Sequence, residues 1–244
     1  MGSAQMAMHT ATTNDEQRRI GKQLLLRIGA VGGVVGTILQ VAAGTSQSVQ
    51  LGSADLALAS LAGQPAWVWP LIYLGFIFGA LFWVATLLAL TTTLTGGVSW
   101  TLSRLSLAAA LVGVTLHVVD GVFNAVVLAG VARDWATAPA AAQPSLLLQG
   151  DLVLRIREGT WAGVITLYHG VPFVLAGLAV VTSRSYPAWL GWIGFLGGAG
   201  SLVIGLAMIF GAAPAGLAVP FAVVLSVFMV LLGWQLWTRA DVAR

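Results

Sequence analysis

The sequence predicts an all-α, polytopic membrane bundle of six transmembrane helices with both termini cytoplasmic, and three observations predict it. Charge is scarce: 8% of the 244 residues are charged, 58% are hydrophobic, and the mean hydropathy is +0.93. Soluble domains carry about 25% charged residues, and a soluble chain of this size cannot bury so much apolar surface. Six apolar stretches, roughly 24–44, 67–94, 105–132, 160–183, 188–210 and 217–237, reach the ~20 residues that a helix needs to cross a bilayer. None alternates in polarity as a membrane β-strand does. Finally, nine of the ten tryptophans fall at predicted span ends, where indole rings favour the interface, and only Trp83 falls at mid-depth.

Taken in order, residues 1–23 form a polar cytoplasmic segment containing Asp15, Glu16, Arg18, Arg19 and Lys22. The apolar run after it is too long for a cleavable signal peptide, and MGSAQM has Met6 where a myristoylation site wants Ser or Thr. Residues 24–237 are the six-span domain, and 238–244 are a cytoplasmic tail. Orientation follows from the basic residues: Arg18, Arg19, Lys22, Arg27, Arg104, Arg184, Arg239 and Arg244 fall on the terminus side. Only Arg133, Arg155 and Arg157 fall opposite. This bias accounts for the sequence pI near 10.0 without any dense basic patch for nucleic acid. Cysteine is absent, which excludes disulfides and thiolate chemistry.

Two outer segments have structure of their own. Within 45–66 the sequence suits a short helix around Asp55 to Leu61. Within 133–159, Asp151 and Arg155 stand at i,i+4, which favours an interfacial helix over about 145–158 leading into span four, with a strand as the alternative. The pairs Gly32/Gly36, Gly75/Gly79 and Gly194/Gly198 let helices approach closely, within the bundle or at a homodimer interface.

Ionisable side chains inside a bilayer cost about 2.5–3.5 kcal/mol each at a helix centre on insertion scales, so each needs a reason. Arg27 can snorkel to the headgroups; His117, Asp120 and His169 cannot. In GVTLHVVDGVFNAV, the side chains of His117, Asp120 and Asn124 share one helical face, flanked by Gly113 and Gly121, which leave room for a helix or a ligand. In LYHGVPF, Pro172 deprives the Tyr168 carbonyl of its helical donor and predicts a kink beside His169. Depth arithmetic puts Asp120 roughly 22 Å and His169 roughly 21 Å from the inner ends of their spans, at one level.

These residues nominate a polar site. Catalytic candidates are His117, Asp120 and His169, and candidate ligand-lining residues are Asn124, Tyr168 and Tyr73. The leading reading is a site that binds or moves a small molecule or a proton. A membrane-embedded enzyme or haem protein acting on a lipophilic substrate is one alternative, with His117 and His169 as axial ligands. Zinc would draw on the same histidines, but their spacing follows no zinc pattern. A non-catalytic accessory subunit is the other alternative. Ser201, in GGAGSLVIG, lacks a nucleophile elbow, and no nucleotide-binding motif occurs.

The motifs SADLALASLAGQPAWVW, HVVDGV and SRSYPAWLGWIGFLGGA resemble an uncharacterised family of bacterial six-helix integral-membrane proteins over about residues 24–210. The resemblance implies an outer helix before span two, a basic–acidic pair in span three and a Pro-x-Trp-Leu-Gly turn into span five. It also implies residence in a bacterial cytoplasmic membrane. The family pattern has arginine and glutamate where this chain has His117 and Asp120.

Overall fold

A computed structural model describes residues 2–46 and 52–242, with side chains described from Glu16 onward. Residues 47–51 of the first outer segment, and Arg244 of the basic count, lie outside the described residues. The described chain is helical and contains no strand. It comprises α1 (Gly2–Thr45), α2 (Ala54–Ala62), α3 (Val68–Thr93), α4 (Gly97–Val122), α5 (Ala129–Thr137), α6 (Gln143–Val164), α7 (Val171–Val181), α8 (Ala188–Ile209) and α9 (Val219–Val242). Six helical stretches are long and apolar enough to cross a membrane: Glu16–Thr45, Val68–Thr93, Gly97–Thr137, Gln143–Val181, Ala188–Ile209 and Ala215–Val242.

Spans three and four run well past the stretches expected from hydropathy. At 1.5 Å per residue, 41 and 39 residues make rods of about 60 Å, twice the hydrocarbon thickness. Their outer ends pack with α2 through Leu58, Leu61, Ala132, Val153 and Leu154, forming a cap on the face opposite the termini. The expected short helix is α2. The expected interfacial helix over 145–158 is helical but continues without a break into span four, so it is no separate element lying in the interface. Hydropathy windows end where polar residues begin, whereas backbone hydrogen bonding continues through them.

The six spans form a ring in chain order, each packed on the next, and α9 closes against α1. The inside of the ring is apolar and aromatic. Trp83, Phe173 and Phe228 meet edge to face at 5.5 and 6.1 Å, surrounded by Leu87, Leu90, Val180, Leu225 and Leu232. Exposed Ile28, Val31, Val34, Ile38 and Val41 recur every three or four residues along α1, marking its lipid face. Its opposite face carries glycines. A methyl at Gly33 would lie 2.4 Å from the Met229 carbonyl, and one at Gly36 2.8 Å from the Gly79 carbonyl. Likewise Gly32, Gly75, Gly194 and Gly198 all meet atoms of this same chain, so these faces are covered within the bundle.

Prolines open helices where their missing N–H costs nothing: Pro144 and Pro220 stand in first turns and Pro187 caps α8. Gly96 and Gly97 both take positive φ, at 80° and 66°, in the turn between α3 and α4. On the terminus side, the Tyr186 hydroxyl and Thr93 Oγ1 lie 2.7 Å apart. Arg239 stacks 4.1 Å over the Tyr186 ring and donates to the Ser185 carbonyl, clamping the loop between spans four and five to the end of span six.

Two outcomes test this packing. A Cβ on Gly177 would lie 2.3 Å from the Phe195 nitrogen, so Gly177→Ala is expected to cost about 1–3 kcal/mol. Gly130→Ala, which meets nothing, is expected to leave the melting temperature in detergent unchanged or raised. Burial raises the Tyr186 phenol above its ordinary value, outweighing the Thr93 hydrogen bond and the Arg239 charge. The folded state therefore favours the neutral phenol. Its stabilising contribution is complete below the unfolded value near 10 and is lost as pH climbs through the folded value. The melting temperature of wild-type protein is expected to fall in that alkaline range more steeply than that of Tyr186→Phe.

Candidate functional site

Three contacts set the register of spans three and four. Ser106 Oγ donates to the Pro172 carbonyl at 2.8 Å, a Cβ on Gly113 would lie 2.4 Å from the Leu167 carbonyl, and Thr160 Oγ1 donates to Asp120 Oδ1 at 2.5 Å. Gly113 is therefore the closest-fitting of these positions: any side chain there would push span four away. The contacts describe one antiparallel alignment, and it brings His117 and His169 together. Their rings lie 6.3 Å apart, centroid to centroid, and nearly perpendicular at 82°.

Span four widens where it meets this level. Ile165–Gly170 form a π-helical turn, directly before Pro172. A proline cannot donate to the carbonyl four residues back, and a looser turn absorbs the mismatch. The expected kink takes this form. Gly170 lets α8 pack against this turn, because a Cβ there would lie 3.0 Å from Leu202. A second π-helical turn, Phe123–Leu128, interrupts span three and contains Asn124. No proline announces this one. Its Asn124 carbonyl accepts a hydrogen bond from Trp69 Nε1 at 3.1 Å, and Asn124 Nδ2 donates to the Asp120 carbonyl at 2.8 Å. The two π-helical turns stand on neighbouring spans, two turns or more apart in depth with His117 and Asp120 between them, and such turns gather at functional sites.

Aromatic rings enclose the histidines. His117 stacks on Tyr168 at 5.2 Å and meets Phe76 and Trp161 at 6.2 and 6.3 Å. His169 meets Tyr168 at 4.8 Å and Trp83 at 6.1 Å. The Tyr168 hydroxyl is bonded to the Ala80 carbonyl at 3.1 Å, which anchors span four to span two. Tyr73 stands one layer nearer the cap, packed on Trp69 and Phe76 rather than on either histidine.

His117 and His169 are 2% and 5% exposed, and Asn124 is 0% exposed. Yet Nδ1 and Nε2 of His117, Nδ1 of His169 and Oδ1 of Asn124 have no hydrogen-bond partner in the protein. The Phe76 carbonyl faces His117, but without normal hydrogen-bond geometry. Elsewhere among the described residues the buried hydroxyls of Thr86, Thr91, Ser103, Ser106 and Thr166 are bonded, and partnerless atoms recur on Arg27, Trp135, Arg157 and Arg239 nearer the span ends.

The acid does not pair with the histidines. Asp120 is held by Thr160, and the nearby cation whose charge reaches it is Arg157, one turn toward the cap. The expected single His–Asp cluster is thus two adjoining subsites, an acid–hydroxyl–guanidinium rim and an imidazole–aromatic interior. Gly121 leaves no room for a ligand, since its face meets Ile77 at 2.9 Å. Thr160, Arg157, Phe76 and Trp161 were not legible as site residues. Trp161 reads as an interfacial anchor and Arg157 as an outer-loop charge, and only the helical register brings them inward.

Among the described residues, no three His, Cys, Asp or Glu side chains come together to hold a metal ion. A haem between two axial imidazoles needs the rings to face each other across a slot, and Tyr168 and Trp83 occupy the space beside them. The arrangement suits hydrogen bonding to something small. Compared with protein families, curated proteins and solved structures, the chain finds no match.

Thr160→Val keeps the shape of the rim and removes the donor to Asp120. It is expected to lower stability by about 1–3 kcal/mol, the cost of orphaning a buried polar group, while Thr160→Ser restores most of it. Thermal melts of the purified proteins check both.

Proposed function

We propose that this chain is a multi-pass protein of the bacterial cytoplasmic membrane, with both termini inside, that binds a small uncharged hydrogen-bonding molecule between spans three and four. Membership of the six-helix family whose motifs it resembles belongs to the same proposal. His117 and His169 supply the hydrogen bonds, and Asn124 lies about two turns nearer the outer end. Phe76, Trp83, Trp161 and Tyr168 supply the walls. Eight basic residues on the terminus side against three opposite support the orientation.

One observation carries the binding reading: three nitrogens of two buried imidazoles, whose rings lie 6.3 Å apart, have no partner in the protein. In water such atoms are solvated for free, but in hydrocarbon each costs several kcal/mol unless something bonds to it. A bundle that needed only packing would hold leucine at these positions. A neutral imidazole offers one donor and one acceptor, so the two rings together present both kinds of group. A molecule with both donor and acceptor groups completes the set. Proton transfer between acid and base has less support, because Asp120 is bonded to Thr160 and not to an imidazole.

The reading has a counterintuitive consequence. Removing an unpartnered buried polar group relieves its desolvation cost, so His117→Leu and His169→Leu are expected to raise the melting temperature of ligand-free protein. They are also expected to abolish any stabilisation by small uncharged amides and alcohols, with formamide and glycerol as first probes. If both substitutions lower the melting temperature, and no probe separates wild type from variant, the histidines are interhelical glue and the accessory-subunit reading replaces this one.

A further inference from the structure

We infer that the site is loaded from one side only, the face opposite the two termini, along a file of polar groups running from Arg157 and Asn124 down to His169, and that the bundle below His169 is a permanent seal. This rests on the binding reading above and assigns it a route and a ligand class.

Depth comes from the register with span two. Phe76 packs on His117, and Trp69 bonds to Asn124. Span two starts at Val68 and ends at Thr93. His117 therefore lies about 12 Å below the outer end of that helix and about 26 Å from its inner end. His169, beside Trp83, lies about 22 Å from the outer end. The site is in the outer half of the bundle, and its deepest group is near the middle.

Polar satisfaction divides at the same level. Above it the partnerless atoms form a file: Trp135 Nε1 in the cap, Arg157 Nε and Asn124 Oδ1 at the rim, then the His117 nitrogens and His169 Nδ1. Below it, the buried hydroxyls of Ser106, Ser103, Thr86 and Thr91 all donate to carbonyls. Among the described residues below it, partnerless side-chain atoms recur at the inner ends, at Arg27 and Arg239. Between lie Phe173, Phe228, Leu87, Leu90, Leu225 and other fully buried apolar groups, about 15 Å of chain along span two from Trp83 to Thr93.

The rim also selects. Arg157 and Asp120 place opposite charges beside each other, so a molecule passing between them gains nothing from net charge of either sign. Deeper, the lining offers only imidazole, amide and aromatic faces. The route thus fits uncharged solutes of a few heavy atoms that both donate and accept hydrogen bonds, water among them. A lipid-derived molecule sliding in laterally from the acyl chains would not need the file at all.

Because the chain has no cysteine, single cysteines report access directly. Full-length Asn124→Cys, His117→Cys and His169→Cys, with Ala176→Cys within the seal, are labelled in sealed vesicles of known orientation with the small uncharged reagent methyl methanethiosulfonate on one side and an impermeant thiol on the other to quench reagent that crosses the lipid. Thr160→Cys and Trp161→Cys replace any site variant that fails to give a monodisperse folded protein. Labelling is expected from the face opposite the termini, fastest at Asn124 and slowest at His169. No labelling is expected from the terminus side, and none at Ala176 from either. Labelling of His117→Cys or His169→Cys from the terminus side overturns the seal. Absence of labelling at both from either side, with the thiols reacting after denaturation, overturns the route. The second result leaves the binding reading standing, because a laterally loaded site would still respond to the leucine substitutions. The expected pattern with no such response would keep the route and sink the binding.

Discussion

Hydrocarbon offers no hydrogen bonds, and that single deficiency organises this molecule. Every polar atom inside the bundle must find a partner in the protein or carry a large penalty. Most solve it locally: Thr37, Thr166 and Ser226 each donate to the carbonyl four residues back on their own helix. Others solve it across helices and so tie the ring together. Thr86 reaches the Gly29 carbonyl, Trp83 Nε1 reaches Thr37, Ser106 reaches Pro172 and Tyr168 reaches Ala80. Against that background, two imidazoles and an amide oxygen left without partners require an explanation.

Glycine makes the cross-links possible. The bonds above are short because the backbones are close, and the backbones are close because one face of α1, α4 and α8 is stripped of side chains. At Gly113 this closeness has a second effect. It presses span three onto the π-helical turn of span four, so that His117 and His169 are positioned by backbone contact rather than by flexible side chains. The same turn sits on Gly205 of α8, where a Cβ would lie 2.3 Å from Thr166 Oγ1. The site is therefore held from two sides by the rigid part of the fold, as a binding site requires.

The architecture was largely legible in the sequence, because hydropathy directly measures what a bilayer demands. Spans two and five end within a residue of their apolar stretches, and α2 lies where its pattern placed it. The candidate site was legible in part. His117, Asp120 and His169 stood out because charge and imidazole are conspicuous in an apolar run, and helical spacing grouped Asn124 with His117 and Asp120 on one face, where all three are buried. What hydropathy does not contain is register. A shift of two helices by one turn would leave every span intact and replace Thr160 as the partner of Asp120. The π-helical turn at Phe123–Leu128 was invisible for a related reason: it is stabilised by Trp69 from another span, and no local residue marks it. Trp69 and Trp161 show the limit of the interfacial rule, since indole rings near a span end can turn inward and line a site instead.

The central claim is that something other than protein completes the hydrogen bonds of His117, His169 and Asn124. An experimental density map of the full-length protein in a lipid bilayer tests it most directly. The account expects non-protein density within hydrogen-bonding distance of a His117 ring nitrogen and of His169 Nδ1, and separate density at Asn124 Oδ1. Imidazoles bonded instead to protein groups, or rotated out toward the acyl chains, would contradict it.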